Sequence, residues 1–112
     1  MDKDRFRQIA LTFPEATEAP HFENTAFKVT KKIFATLNAS ENRATVKFSL
    51  EDQDLFCLFD KNIVYPVPNK WGKQGWTHIN LTLANEEMCL EALAAAYCLV
   101  APKKLADLIK FE

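Results

Sequence analysis

Glycine is almost missing from this chain. Of its 112 residues only Gly72 and Gly75 are glycines, and both lie in the stretch PNKWGKQGWTHINL, residues 68–81, which also holds both tryptophans. A phosphate-binding loop built on repeated glycines is therefore excluded. Because glycine adopts positive φ angles without a steric penalty, we expect these two to permit a tight approach to the strand that follows.

Residues that commonly carry catalysis and metal binding are also sparse. The three cysteines, Cys57, Cys89 and Cys98, form no CxxC pair, and the two histidines, His21 and His78, lie in separate segments. No GxSxG or HExxH motif is present. We therefore predict that the protein is not an enzyme and uses no metal or cofactor. Unpaired cysteines in apolar helical contexts are typical of buried thiols in a reducing cytosol, so the predicted location is cytoplasmic.

Long apolar runs and an excess of one charge are missing as well. No segment approaches the ~20 apolar residues that a membrane span needs, so no membrane partner is expected. The chain has 14 basic and 15 acidic residues. Because dedicated nucleic-acid modules are usually strongly basic, this balance counts against DNA binding. With 48% hydrophobic residues, residues 1–112 are predicted to fold as a single domain.

The chain does have a clear change of hydrophobic period. Phe6, Ile9, Ala10 and Phe13 repeat at helical spacing, whereas apolar residues alternate with polar ones from Thr25 onward. The predicted strands cover residues 25–30, 31–38, 43–50 and 75–81, with an acidic loop at 14–24 and an extended segment at 62–69. Further helices are predicted at 49–59, 84–100 and 102–111. This order indicates an α+β fold, an antiparallel sheet with helices packed on one face.

The alternation also assigns residues to the two faces of the sheet. Val29, Ile33, Val46 and Ile79 are predicted to pack on the helices. The opposite, open face is then predicted to carry Lys28, Lys32, Phe34, Arg43, Lys47, Trp76, His78 and Asn80. In the helix at 49–59, the predicted buried stripe is Leu55, Leu58 and Phe59.

The charges are distributed unevenly along the chain. Residues 25–50 hold five cations and one carboxylate, and residues 61–83 hold three cations, including Lys70 and Lys73, and no carboxylate. Cations among exposed aromatics can grip phosphates and stack on bases, so the open face and the 70–76 loop are predicted to bind nucleic acid. No helix concentrates Arg, Asn and Gln for base readout, so binding should be weak, sequence-tolerant and salt-dependent.

Another interpretation of the same face remains open. Lysines are common on the solvated face of an antiparallel sheet, where they keep it soluble. The protein is then a module for a protein or small-ligand partner without nucleic-acid activity. This alternative predicts an apolar pocket near Trp71 and Trp76.

Three segments carry a resemblance to a known family: PHFENTAFKVTKKIFATL, YPVPNKWGKQGWTHINL and AAAYCLVAPKKLA. They resemble the MmcQ/YjbR family of small bacterial proteins. The resemblance implies a CyaY-like α+β fold and a DNA-binding protein, with double-stranded DNA as the partner. It falls on Lys73 and Trp76 in the loop-to-strand step, on Lys28 and Lys32 in the hairpin, and on Lys103 and Lys104 near the C-terminus.

Two departures from the family pattern concern the hairpin and the charge. The hairpin turn VTKK has no glycine, and the chain as a whole is slightly acidic.

The CyaY-like fold is also shared with frataxin-type iron binders. A metal-handling role needs an acidic cluster on the first helix, where this chain has only Asp2 and Asp4.

Overall fold

The structure is a computed structural model that describes residues 1–109. Its helices are α1 (Lys3–Leu11), α2 (Leu50–Cys57), α3 (Glu86–Val100) and α4 (Lys103–Ala106). Its strands are β1 (Thr17–His21), β2 (Asn24–Val29), β3 (Lys32–Asn38), β4 (Arg43–Lys47), β5 (Val64–Pro66) and β6 (Trp76–Asn80), and a 3₁₀ turn covers Gly72–Gln74. The predicted α+β class is confirmed. The last predicted helix is shorter than expected, and its residues 110 and 111 lie outside the described part of the chain.

The six strands form one antiparallel sheet in the order β1-β2-β3-β4-β6-β5. One face is covered by helices, with α3 against β3 and β4 and α1 against β3. Tyr97 of α3 lies at the centre of this layer. Its ring stacks on Phe13 at 5.1 Å, and its hydroxyl donates to the Pro14 carbonyl oxygen at 2.6 Å. The aromatic rings are buried on this side of the sheet, and no helix within residues 1–109 covers the other side.

Each of the three longer helices begins at a side-chain cap. Asp2, Ser49 and Asn85 accept hydrogen bonds from the backbone N–H groups of the first turns of α1, α2 and α3. Such caps satisfy donors that have no partner inside the helix. The predicted helix starts are therefore confirmed for α2 and α3.

A β-bulge in β3 overturns part of the predicted face assignment. Phe27 pairs with Ala35 and Lys28 pairs with Ile33, so Phe34 has no partner in β2. The extra residue, Phe34, exchanges the two faces of the sheet for the residues of β3 that precede it. As a result Phe34 is fully buried, with its ring 5.5 Å from that of Tyr97, and Ile33 turns to the open face. The prediction of an exposed Phe34 is wrong, and so is that of a buried Ile33.

Helix α2 buries a different side from the one predicted. Leu55, Leu58 and Phe59 are 60%, 79% and 73% exposed. The buried residue of α2 is Gln53, and Phe56 stacks on Phe48 at 4.6 Å. Gln53 faces inward because its amide reaches polar groups of the loop at 72–77, which hydrophobic periodicity does not reveal.

The edge strand β1 was missed from the sequence, whereas the hairpin between β2 and β3 was predicted. β1 lies at the sheet edge within the segment predicted as an irregular loop, and Pro20 fits such an edge position. The predicted hairpin between β2 and β3 is confirmed. Its turn residues Thr30 and Lys31 have φ angles of 47° and 72°, as in the primed turns that suit a hairpin, although neither is glycine or asparagine.

Candidate nucleic-acid interface

The side of the sheet away from the helices is the candidate interface, and we call it the open face. Paired residues of an antiparallel ladder share a face, so the strand register defines its members. Five residues, Phe27, Ala35, Val46, Val64 and Ile79, mark the buried face. The open face comprises Thr17, Ala19, His21, Asn24, Ala26, Lys28, Ile33, Thr36, Asn38, Arg43, Thr45, Lys47, Tyr65, Trp76, His78 and Asn80.

The open face has three cations and no carboxylate. Lys28, Arg43 and Lys47 belong to it, whereas none of its strand residues is Asp or Glu. The three ion pairs among residues 1–109 are Arg5 with Glu86, Arg7 with Glu18, and Lys103 with Asp107. None of them involves a cation of the open face, so within the described residues these three charges are not neutralised by a carboxylate.

A groove of about 360 Å³ runs across the open face beside the loop at 67–76. Its walls are mostly apolar, with neutral polar groups between them. The lining residues are His21, Asn24, Ile33, Thr36, Thr45, Val67, Trp71, Trp76 and His78. This is the apolar pocket near Trp71 and Trp76 that the alternative interpretation expects.

A lysine accompanies each tryptophan of the groove. Lys47 Nζ lies 5.7 Å from the centroid of the Trp76 ring, and Lys70 Nζ lies 5.8 Å from that of Trp71. Both distances are within the range of cation–π attraction. Lys47 also donates a hydrogen bond to the Gln74 carbonyl oxygen. Neither lysine is among the lining residues, so the positive charge lies beside the aromatic groove and not inside it.

The loop is held against the sheet by buried polar contacts. Gln53 Nε2 donates to the Gly72 carbonyl oxygen at 2.8 Å and to Thr77 Oγ1 at 3.1 Å. Thr77 Oγ1 in turn donates to the Gly75 carbonyl oxygen at 2.9 Å. Gly75 has a φ of 105°, which confirms the expected positive φ at this glycine, whereas Gly72 has no positive φ, so the expectation is wrong there. These contacts position Trp71 and Trp76.

His78 lies in the middle of the groove floor as a neutral imidazole. His78 Nδ1 and Thr45 Oγ1 share a hydrogen bond of 2.8 Å, and the ring meets Tyr65 edge to face at 5.5 Å. Burial, together with the nearby Arg43 charge, lowers the pKa of His78 to about 4. At neutral pH His78 therefore offers polar contacts and no positive charge to a ligand.

The lowered pKa of His78 predicts a loss of stability on acidification. Because the folded pKa of about 4 lies below the ordinary value of 6.5, the unfolded chain binds the proton more readily. This contribution is present above pH 6.5 and is lost as the pH falls toward 4. We expect the free energy of unfolding to fall by roughly 2 kcal/mol more in the wild type than in His78→Gln over this range. Urea unfolding of both proteins at several pH values measures the difference, and equal pH slopes would contradict it.

The structure brings together only some of the predicted binding residues. It places Lys28, Arg43, Lys47, Trp76 and His78 on the open face. Phe34 is excluded because it is buried in the core.

The other predicted cations lie elsewhere. Lys32 pairs with the buried Val29, so the register assigns it to the helix side at the end of β3, which corrects its predicted face. Lys70 and Lys73 lie on the loop, and neither is among the residues lining the groove. Lys103 and Lys104 belong to α4, which packs against α3 on the helix side.

Several residues of the site were not found from the sequence. His21 and Asn24 line the groove because β1 pairs with β2, and β1 was predicted as a loop. Gln53 supports the groove from α2, although it is not part of the buried stripe predicted for that helix. In the sequence of α2, Gln53 is the one neutral amide among acidic and apolar residues, and this was the only local signal of its role.

The fold and the surface together define a class, an α+β protein whose antiparallel sheet has one basic and aromatic face that no helix of residues 1–109 covers. The YjbR family model matches residues 11–99, and the chain belongs to the YjbR family. It is similar to the crystal structure of Deinococcus radiodurans protein DR2400, which has a DUF419 domain and is of the same family. The two are 22% identical with a TM-score of 0.75, over 87% of this chain and 76% of that chain. This likeness shows a shared fold. A search of the curated proteins finds no significant match.

Residues 1–109 contain neither a cluster of metal-binding side chains nor a helix that could span a membrane. No group of three or more His, Cys, Asp or Glu side chains in this range is placed to hold a metal ion. No helix in the same range is long and apolar enough to span a bilayer.

Proposed function

We propose that this protein binds DNA through the open face, without catalysing a reaction. The observation that carries the proposal is the charge of that face, where Lys28, Arg43 and Lys47 stand with no carboxylate among its strand residues. Phosphate contacts from Lys and Arg supply most of the affinity in sequence-tolerant DNA binding. The loop residues Lys70 and Lys73 extend this positive surface beyond the sheet edge.

The acidic residues lie mainly on the other side of the molecule. Glu51, Asp52 and Asp54 belong to α2, and Glu86 and Glu87 to the start of α3. The net charge of −1 therefore does not describe the surface that a polyanion would approach. A separation of charge between two sides steers a charged ligand toward the basic side, which supports binding despite the balanced total.

The expected mode of recognition is contact with the backbone. Lys28 and Lys47 lie toward one end of the open face, and Arg43 lies four residues before Lys47 on β4. At about 3.3 Å per residue, Arg43 and Lys47 are roughly 13 Å apart along the strand, which allows them to contact separate phosphates. Phe34 is buried, so Trp71 and Trp76 are the large aromatic side chains that we expect to stack on bases. The free thiols Cys57, Cys89 and Cys98 fit a cytoplasmic protein.

A titration at two salt concentrations tests this proposal. We expect a Kd on the order of 1–100 µM near physiological salt for DNA of any sequence. With about three to five phosphate contacts, duplex affinity should fall by roughly 50- to 500-fold between 50 and 200 mM salt. Fluorescence anisotropy of a labelled 20-mer measures both quantities. Absence of binding to duplex and single-stranded DNA at 50 mM salt would refute the proposal.

The groove favours a second candidate function, the binding of a small planar ligand. About 360 Å³ of mostly apolar space between two tryptophans falls in the size range of small-molecule pockets. This candidate differs from DNA binding in its salt dependence. An uncharged ligand of the groove would bind equally well at 50 and 200 mM salt.

A further inference from the structure

We propose that the groove beside Trp71 and Trp76 binds one unpaired nucleobase, with its attached phosphate beside Lys47 or Lys70. This inference rests on the proposed function and deepens it, since it makes unpaired nucleotides the preferred ligand of the open face. The ligand is, by chemical class, a planar aromatic base joined to a phosphate anion. It occurs both in single-stranded DNA and in a free nucleotide.

The first argument is the shape and surface of the groove. It has a limited volume of about 360 Å³, and its tryptophan walls provide flat aromatic surface. Bases of single strands stack on such side chains, largely regardless of sequence. A base inside a duplex is already stacked on its neighbours and paired along its edge, so entry requires it to leave the helix. The groove therefore favours unpaired bases.

The second argument is the polarity of the floor. Thr36, Thr45 and His78 are neutral groups that donate and accept hydrogen bonds. His78 stays neutral at physiological pH. Such groups can pair with the exposed edge of a base, and they place no negative charge beside its phosphate.

The third argument is the position of the lysines. Their ammonium groups lie within 6 Å of the tryptophan ring centroids, at 5.7 Å for Lys47 and 5.8 Å for Lys70. Neither lysine lines the groove itself, and each lies beside one of its tryptophans, so a base held in the groove has a cation next to the groove for its own phosphate. Exposed tryptophan with adjacent lysine is the combination of stacking and charge that binds single strands.

Tryptophan fluorescence tests the inference directly, because Trp71 and Trp76 are the only tryptophans of the chain and both line the groove. We expect quenching on titration with a 12-mer of thymidine at 50 mM salt, and little quenching with a blunt duplex of equal length. The single strand should bind about 10-fold tighter than the duplex, as expected for one stacked base.

Two variants separate the groove from the charged surface. Trp71→Ala removes one wall, and Thr36→Phe fills the space from the floor while keeping a residue that strands favour. Both should remove the preference for the single strand, and Thr36→Phe should leave duplex affinity within about twofold. Phe59→Ala is the matched control, because Phe59 is an exposed aromatic residue that does not line the groove. It should retain the preference.

The outcomes distinguish the inference from the proposed function. Salt-dependent binding of both DNAs with equal affinity and no quenching would overturn the inference and leave DNA binding in place. Failure of both DNAs to bind would overturn the proposed function. Quenching by thymidine monophosphate, lost in Thr36→Phe, would support the groove as a base site and identify the free nucleotide as a source of the ligand. No quenching by either the nucleotide or the single strand would refute the base site.

Discussion

Replacing Lys28, Lys47 and Lys73 together with glutamate is expected to lower DNA affinity by about 100-fold at 100 mM salt, with the fold retained. Each substitution removes a phosphate contact and adds repulsion between two anions, and each lost contact should also reduce the slope of log affinity against log salt by about 1. Lys73 is exposed, and Lys28 and Lys47 are half-buried. Anisotropy titrations measure the affinity, and circular dichroism checks the fold.

The matched control moves the same charge change to the helix side. Lys3 begins α1, and Lys103 and Lys104 begin α4, so Lys3/Lys103/Lys104→Glu alters the net charge equally. If binding depends on the open face, this control should retain affinity within about fivefold. An equal loss in both variants would show that total charge, and not the open face, determines binding.

The replacement Gly75→Ala is expected to destabilise the protein by about 3 kcal/mol or more. Gly75 has a φ of 105°, a region that residues with a side chain rarely adopt, and an added Cβ would collide with the backbone carbonyl oxygen of Phe48. Backbone strain costs of order 1–3 kcal/mol, and a clash with backbone atoms adds to it. Urea unfolding measures the change.

Lys73→Ala in the same 3₁₀ turn serves as the control for the Gly75 variant. Lys73 is exposed and lies within the 3₁₀ turn, a backbone conformation that alanine adopts readily. We therefore expect its free energy of unfolding to change by no more than about 0.5 kcal/mol. A loss below 1 kcal/mol in Gly75→Ala would contradict the steric argument. The turn could then relax without its glycine.

Much of the fold was predictable because local signals agreed with tertiary packing. Period-two alternation marked β2, β4 and β6, and the capping residues Ser49 and Asn85 marked the starts of α2 and α3. In these strands Val29, Val46 and Ile79 face the helix side, as their spacing predicts. The predicted class and most strand positions followed from this agreement.

The errors arose where a single residue changed the geometry. The bulge at Phe34 reversed the alternation of β3, and no property of the residues IFA distinguishes such a bulge from a regular strand. Helix α2 turned its leucines outward because the Gln53 amide bonds to the loop at 72–77, which is distant in sequence. Both events depend on partners that only the folded chain brings near.

The sequence by itself determined the basic character of the strands, the acidic character of α2 and α3, and the need for glycine before β6. These follow from composition and from the steric freedom of one residue type. Only the tertiary structure decided that Trp71, Trp76, His21 and His78 share one groove, and that His78 is neutral there. The reason is that a groove and a lowered pKa are properties of neighbours, and strand pairing and loop packing bring those neighbours together from distant parts of the chain.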